Sequence, residues 1–382
     1  HSDGGYEYVA HNILYVLYDI AQTSGDEYKY ALERKSRRRL RNRVPCIYSS
    51  YYNLGRRQRY ILLRRYAYER KLDRYQLSEK DLVRPRRYQS RIDEDMVSIG
   101  TLPSGGECLL NKWAVNTDLL VAEGFIEPHF FAGMSGGRKS VLPGVASKVT
   151  VLANHCSEFI DSLYARTGIL EGNPIHRDML YAAKVAKLAF ICNVVIDAEK
   201  KVIAAFAGDS EEAHCKGVEF EMSLAGVKPV PADIVVTTNG GYPLDQNIYQ
   251  SVKGMTAAEA TCKEGGVIID CTACNDGHGG EDFFNTLKNA ADLQKAMDEI
   301  LARDRNETIF DQWESQILLR LLLHFHIILV TQAPREMVEA MHLTYAENID
   351  EAFKLAKDYL AEKGVNDPKV TVIPDGVSVI VK

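Results

Sequence analysis

From Thr117 onward, short runs of apolar residues alternate with longer stretches in which apolar positions recur every three or four residues. Short runs are typical of buried strands, and the longer spacing is typical of helices that pack on one face. The predicted strands are 119–123, 190–196, 202–206, 234–237, 267–270 and 327–330. The predicted helices are 176–187, 211–224, 246–263, 290–303, 312–324 and 348–363. Because the two kinds of element alternate, the pattern predicts an α/β fold with mainly parallel sheets.

A proline-containing stretch, 227–233, interrupts this pattern and predicts a linker. With 382 residues, the chain is long enough for two domains of roughly 100 to 200 residues each. We therefore expect an N-terminal α/β domain over 1–228 and a C-terminal α/β domain over 229–368. A final strand segment, 369–382, could return to the N-terminal domain. Residues 1–100 mix tyrosine, arginine and leucine without a clean apolar face and predict no defined element.

The composition is that of an ordinary globular protein, with 46% hydrophobic and 26% charged residues. The longest apolar stretch, 317–330, is interrupted by Arg320, His324 and His326, and so falls short of the roughly 20 residues of a membrane helix. The eight cysteines lack the density of a disulfide scaffold, and no secretory signal is recognised. These features predict a soluble, cytoplasmic protein. Cys271 and Cys274 form a CxxC pair, which could be redox-active or half of a zinc site, but without a second pair packing is favoured.

The net charge of −6 hides a strong asymmetry between two parts of the chain. Residues 28–91 hold 17 arginines and 4 lysines against 5 acidic residues, a net +16 that leaves −22 for the remainder. Fourteen of the 20 tyrosines also precede residue 90. A basic segment of this kind attracts phosphates, so composition alone leaves nucleic-acid binding open.

A glycine-rich segment, Gly124–Ser140, follows a predicted strand, where open α/β sheets place their ligands. Gly136 and Gly137 let the backbone approach a ligand closely, and Arg138 and Lys139 offer two cations. A phosphate loop of the GxxxxGK[ST] type is excluded, because it needs glycine where Arg138 stands. A plain turn is the competing interpretation.

Two further segments carry candidate chemistry. His155 has no HxH or HxxxH partner and no carboxylate cluster beside it, so a metal bound there would need most of its ligands from elsewhere. Gln250 and Lys253 lie three residues apart on one predicted helix face and could hold a carboxylate. The competing interpretations are a structural histidine and a solvated helix face.

Taken together, these segments closely resemble the nickel-dependent lactate racemase family, whose members carry a nickel-pincer nucleotide. The resemblance covers about 95–382. The matching motifs are EPHFFAGMSGGRK at 127–139, NH at 154–155, ARTGILEGNPIH at 165–176, NGGYPLDQNIYQSVKG at 239–254 and DQWESQ at 311–316. The fold that it implies has two α/β domains with the active site in the cleft between them.

The resemblance also implies a cofactor, the nickel complex of pyridinium-3,5-bisthiocarboxylate mononucleotide. Lys139 would hold it covalently through a thioamide, and His155 would bind the nickel. His129 would be one of two catalytic histidines. The glycine-rich loop would contribute further cofactor contacts, from Gly136, Gly137 and Arg138. The substrate would meet a set of residues near the second glycine turn, which are Tyr249, Gln250, Lys253 and Trp313.

The activity implied is racemisation or epimerisation of a 2-hydroxy acid, most readily lactate, by hydride transfer to and from the cofactor with histidine acid/base catalysis. The implied partners are the small-molecule substrate and, transiently, the proteins that synthesise the cofactor. Neither nucleic acid nor a membrane is implied, and homo-oligomerisation stays open. The alternatives are a catalytically impaired homologue that binds the nickel nucleotide and, more remotely, an NAD-type dehydrogenase.

The resemblance fails toward the N-terminus. The family's second catalytic histidine belongs to a GTHR-like motif, yet only His1 and His11 precede His129 and neither has that context. A DxxRP-like cofactor-contacting segment has Ser50 and Asn53 at its nearest equivalent, in place of aspartate and arginine. Three hypotheses compete: loss of the second base, a basic surface for nucleic acid, or an assigned sequence before residue 95 that is not the protein's own. We favour the third.

Overall fold

The computed structural model describes residues 46–48, 93–199 and 201–382. Most of the basic segment 28–91 lies outside these residues, as do His1, His11, Ser50 and Asn53. The hypotheses about that part of the chain therefore stay predictions.

Strands and helices alternate along the described chain. The strands are β1 (Cys46–Tyr48), β2 (Met96–Thr101), β3 (Glu107–Asn111), β4 (Leu120–Phe125), β5 (Pro128–His129), β6 (Gly133–Met134), β7 (Leu188–Ile196), β8 (Val202–Gly208), β9 (Gly226–Val227), β10 (Ala232–Thr238), β11 (Cys262–Cys271), β12 (His326–Val330), β13 (Thr344–Ala346), β14 (Val370–Ile373) and β15 (Ile380–Val381). The helices are α1 (Lys112–Val115), α2 (Lys148–Asn154), α3 (Ser157–Asp161), α4 (Pro174–Val185), α5 (Glu212–Ala225), α6 (Ile248–Glu259), α7 (Glu281–Lys288), α8 (Leu293–Leu301), α9 (Gln312–His324), α10 (Arg335–Ala340) and α11 (Ile349–Glu362).

The chain divides into two compact units that interleave along the sequence. Of the described residues, the first unit comprises those up to Glu127, Ser135–Val151 and those of Arg177–Glu221. The second comprises Pro128–Met134, Leu152–His176 and Met222–Lys382. The compact units are not separated by one boundary along the chain. The domain boundary at 228 stays a prediction.

The first unit contains a four-stranded sheet in the order β1-β4-β7-β8. Strands β1, β4 and β7 run parallel, and β8 pairs antiparallel with β7. Along β4 the burial of the side chains alternates. Leu120 and Ala122 are buried on one face, and Glu123 is half-buried on the other. This period of two is that of a strand whose faces differ in their surroundings.

The second unit is built on a five-stranded parallel sheet in the order β13-β12-β11-β10-β14. Its central strands are nearly continuous apolar runs, because both faces of a parallel sheet are covered. The core that they form contains fully buried Ile234, Val267, Ile269 and Ile328. Each such side chain contributes roughly 1.5–3 kcal/mol by its removal from water. Helix α11 packs on this sheet.

The fold predicted from the sequence, α/β with mainly parallel sheets, is confirmed. Each predicted strand and helix has a counterpart whose ends lie within a few residues, the start of β11 excepted. The final segment pairs within the second unit, β14 with β10 and β15 with β9. Among the described residues, no helix is long and apolar enough to cross a membrane.

Candidate active site

His129 lies in a short hairpin of the second unit, formed by β5 and β6. The backbone N–H of Ala132 donates to His129 Nδ1 at 3.2 Å. Because Nδ1 acts as an acceptor, the neutral ring carries its proton on Nε2. The imidazole stacks on Phe130 at 5.1 Å and meets Phe131 edge-on at 4.6 Å between ring centroids. The hairpin therefore positions His129 and favours the tautomer with the proton on Nε2.

The ARTGILEGNPIH segment holds this hairpin in place. Asn173 Nδ2 donates to Phe131 O at 2.8 Å, and Gly168 N donates to Gly133 O at 2.9 Å. Gly133 has φ 78°, and a Cβ there would lie 2.2 Å from Ile169 O. Glycine is thus required at the turn, and the motif's effect on His129 is structural.

His155 follows helix α2 and is buried, at 3% exposure. Its ring lies between two aromatic side chains, 5.1 Å from Phe131 and 4.9 Å from Trp313, both in edge-to-face contact. Among the described residues, no group of three or more His, Cys, Asp and Glu side chains could hold a metal ion. His155 could therefore hold a metal that brings its other ligands with it.

Trp313 connects His155 to the residues of helix α6. It lies in the first turn of α9 and is 6% exposed. The indole Nε1 donates to the Tyr249 hydroxyl oxygen at 2.9 Å. This bond restrains the orientation of the indole and the position of the Tyr249 hydroxyl group.

Helix α6 presents Tyr249, Gln250 and Lys253 within its first two turns. Asn247 caps the helix, with its side-chain oxygen accepting from Gln250 N at 3.0 Å. Lys253 Nζ donates to Gln250 Oε1 at 2.6 Å and lies 5.9 Å from the centroid of the Phe130 ring. Because the Gln250 amide is uncharged, this bond does not neutralise the Lys253 ammonium group. The positive charge of Lys253 therefore stays beside the polar Gln250 amide.

The second unit thus brings together the six candidate residues that it contains: His129, His155, Tyr249, Gln250, Lys253 and Trp313. Phe130 and Phe131 connect them, through contacts with Lys253, His129 and His155. The sequence signal for the two phenylalanines was present in the EPHFF segment, but apolar residues beside a histidine are ordinarily assigned to the core. We call this set the His129–Lys253 network.

The cofactor-binding candidates lie in the first unit, in the loop before and within a 3₁₀ helix, Gly137–Ser140. Gly136 has φ 78° and Gly137 has φ 53°. A Cβ would lie 2.7 Å from Phe125 O at the first position and 2.9 Å from the His214 ring at the second. The protein's own atoms therefore require both glycines, and contact with a cofactor stays a prediction for them.

Arg138 is 1% exposed, and its guanidinium group donates to Gly136 O at 3.2 Å and to Ser135 O at 3.4 Å. Burial lowers the pKa of Arg138 to about 9. These bonds hold the backbone that leads to Lys139, whose side chain is also buried at 5% exposure. Roles of Arg138 and Lys139 toward a cofactor remain predictions.

Glu314 was not among the predicted residues. It follows Trp313 in the chain and is fully buried, at 0% exposure. Desolvation raises its pKa well above the usual range, Lys253 opposes the shift, and Asp311 adds to it. No sequence signal identified it, because the burial of every position from Gln312 to Leu319 is seen only in the structure.

Comparisons with known proteins point to one family. The model of the lactate racemase N-terminal domain matches residues 78–168, and that of the C-terminal domain matches residues 227–381. The lactate racemase of Thermoanaerobacterium thermosaccharolyticum is 61% identical over 296 residues, which are 77% of this chain and 68% of that protein. The lactate racemase of Lactiplantibacillus plantarum is 55% identical over 291 residues, 76% of this chain and 68% of that protein.

Solved structures agree with this. The lactate racemase apoprotein from Thermoanaerobacterium thermosaccharolyticum matches with a TM-score of 0.75 at 61% identity, over 77% of this chain and 70% of that one. A protein from Thermotoga maritima matches with a TM-score of 0.57 at 19% identity, over 82% and 83% of the two chains, which shows the fold alone. The chain belongs to the lactate racemase family and, like the other members, is an isomerase.

Proposed function

We propose that this protein racemises a 2-hydroxy acid, with lactate as the first candidate, using a covalently held nickel-pincer nucleotide. The observation that carries the proposal is the His129–Lys253 network, in which a histidine suited to proton transfer, a buried histidine and a cation connect through aromatic contacts. The names of the relatives supply the substrate class. When bound, the cofactor supplies a reversible hydride acceptor.

The residues present fit this cofactor. His155 can give a metal one nitrogen ligand, and the described residues supply no cluster that would complete an all-protein site. A nickel ion whose remaining ligands come from a nucleotide would satisfy that donor set. The buried Lys139 side chain fits a covalent link, since an amide-type bond replaces a charged group whose burial is costly. Gly136, Gly137 and Arg138 would shape the loop beside that link.

Lys253 and Gln250 would hold the carboxylate of the substrate. Their polar ends are 2.6 Å apart, so one carboxylate can reach both the ammonium group and the amide. A charge-assisted bond of this kind is shorter and stronger than a neutral one. With the carboxylate held, only the α-carbon needs to change its orientation between the two enantiomers. Tyr249 and Trp313, joined through the indole bond, would form a rigid wall beside it.

His129 would exchange a proton with the substrate oxygen. In the tautomer that the bond from Ala132 favours, Nε2 carries the proton, so the ring can donate to that oxygen. To take the hydroxyl proton at Nε2, the ring must instead carry its proton on Nδ1 and give up the bond from Ala132. Imidazole is the side chain that most readily does both near neutral pH.

One observation favours a second candidate function. A racemase acts on both faces of a flat intermediate, so two bases are expected, yet only His1 and His11 precede His129. A chain with one base could bind the nickel nucleotide without interconverting the enantiomers. The second candidate is therefore a catalytically impaired nickel-nucleotide-binding homologue.

The test is made on protein from a host able to build the cofactor, by measuring lactate interconversion and bound nickel. We expect His129→Ala to abolish interconversion while nickel stays bound, and His155→Ala to lose the nickel. His324→Ala is the matched control, because His324 is exposed and pairs with Glu264 at 2.8 Å. It should change neither measurement.

Three results separate the candidates. Interconversion at the wild-type rate in His129→Ala would reject the role of His129. Nickel without interconversion in the unmodified chain would support the impaired homologue. Absence of both nickel and added mass on the Lys139 peptide would reject the nickel assignment itself.

A further inference from the structure

Glu314 is a buried carboxyl group inside the second unit. It follows Trp313 on helix α9 and is 0% exposed. Among the described residues, neither of its carboxyl oxygens has a hydrogen-bond partner. Burying a carboxyl group without such bonds costs free energy, and native proteins contain few such groups. A packing role alone would be met better by an apolar side chain of similar size.

The surroundings of Glu314 indicate what it acts on. Among the described residues, the charged groups whose fields reach it are Lys253 on α6 and Asp311 at the start of its own helix. Helices α6 and α9 pack against each other. Lys253 in turn donates to Gln250 Oε1 at 2.6 Å. Glu314 and the Lys253–Gln250 pair thus lie on two packed helices, and the charge of Lys253 acts on the Glu314 carboxyl group.

The ionisation of Glu314 decides what it does to Lys253. Burial is the largest influence on the pKa of Glu314 and raises it, which favours the protonated form. A protonated carboxyl group acts on the lysine side chain through its dipole, and it does not cancel the positive charge. An ionised one would form an ion pair with Lys253 and compete with the substrate for it.

We infer that Glu314 is a positioning residue that acts through Lys253: its carboxyl group confines the ammonium group beside Gln250 and leaves that positive charge for the substrate carboxylate. The inference rests on the proposed function, in which Lys253 binds this carboxylate. It assigns to a residue that is not among the substrate-binding candidates a part in setting the affinity for 2-hydroxy acids.

The experiment measures L-lactate binding to the full chain loaded with cofactor. The chain has two tryptophans, and Trp113 lies on α1 of the first unit. Trp113→Phe therefore leaves Trp313 as the only tryptophan, whose fluorescence can be excited selectively. Quenching or shift of its emission gives the half-saturating lactate concentration, and steady-state assays give KM and kcat separately. The variants are Glu314→Gln, Glu314→Leu, Lys253→Met and the double variant Glu314→Leu/Lys253→Met.

The expected results form a double-mutant cycle. Lys253→Met raises the half-saturating concentration by more than about tenfold, because it removes a charge-assisted bond. Glu314→Leu raises it by about tenfold with kcat little changed, and Glu314→Gln, which is neutral and similar in shape, stays within about twofold. In the Lys253→Met background, Glu314→Leu has no further effect.

Glu221→Leu is the matched control. Glu221 is another buried glutamate, on α5, whose pKa burial raises to about 7. Removing it tests the general effect of deleting an interior carboxyl group, and lactate binding should stay unchanged. Thermal unfolding of every variant separates loss of folding from loss of affinity.

Two results overturn the inference alone: an equal rise for Glu314→Leu with and without Lys253, or a Glu314→Gln variant as weak as Glu314→Leu. The first would show that Glu314 does not act through Lys253, and the second that its ionised form is the working one. Unchanged binding in Lys253→Met would overturn the proposed role of Lys253 and this inference together.

Discussion

Glu123 on β4 and Glu221 on α5 are interior carboxyl groups whose pKa is raised to about 7. Loss of hydration is the main cause for both, and for Glu221 the charge of Glu127 adds to it. Each group is neutral in mildly acidic solution and must ionise inside the protein as the pH rises. Burial, more than charge pairing, therefore connects the stability of the first unit to pH.

Replacement of Glu123 by glutamine tests this connection. A carboxyl group whose pKa is higher in the folded than in the unfolded chain stabilises the fold at low pH and loses that effect as the pH rises. The shift from 4.5 to about 7 corresponds to roughly 3 kcal/mol at most, less because the side chain is partly exposed. We expect the free energy of unfolding of wild type to fall between pH 5 and pH 8 relative to Glu123→Gln.

Denaturant unfolding at both pH values measures the effect, with Glu336→Gln on the exposed face of α10 as the control. The control should change with pH as the wild type does. An identical pH dependence in Glu123→Gln and wild type would contradict the assignment.

Single residues also show where sequence reasoning stops. His129, His155 and Lys253 could be identified because each lies in a short sequence motif that resembles a family motif. Glu314 could not, since the sequence does not say that every position from Gln312 to Leu319 is buried. Whether a polar side chain faces solvent or the interior depends on the elements packed around its helix, and those come from distant parts of the chain.

At the scale of elements, hydrophobic periodicity located six of the fifteen described strands and six of the eleven described α-helices, most with their ends within a few residues. Strand β11 begins at Cys262, although its first residues are polar and largely exposed. Helix α7 was not predicted, because only Phe283 and Leu287 among its residues are buried. The antiparallel pairing of β8 with β7 also cannot be read from an apolar run, since direction depends on the path of the connection.

The cap of helix α6 connects element stability to the site. Asn247 accepts from Gln250 N, so Asn247→Ala should cost about 1 kcal/mol and loosen the turn that carries Tyr249 and Gln250. Asn348 caps α11 in the same way, by accepting from Glu351 N at 3.0 Å. Asn348→Ala should cost about as much stability, but only Asn247→Ala should raise KM for lactate.

Unfolding midpoints and steady-state kinetics of the two variants check this. A KM that rises equally in both variants would mean that affinity follows overall stability. An unchanged KM in Asn247→Ala would mean that the first turn of α6 does not need its cap to bind substrate.

At the scale of the whole molecule, the two compact units interleave. Residues 128–134 and 152–176 belong to the second unit although residues 177–221, which follow them, belong to the first. This crossing brings His129 and His155 into the unit that contains Lys253 and Trp313. A linear boundary could not predict it, because local patterns carry no information on contacts between residues far apart in sequence.

The basic segment gives the last prediction. The aligned 296 residues keep 61% identity to a lactate racemase, while the family's N-terminal model begins only at residue 78. The hypothesis that the assigned residues before this match are not the protein's own stays a prediction, and it rests on the +16 charge of 28–91. A peptide mass map should then match 98–382 but not 28–77. If peptides from 28–77 do match, the segment is genuine, and its affinity for phosphates should fall steeply with salt.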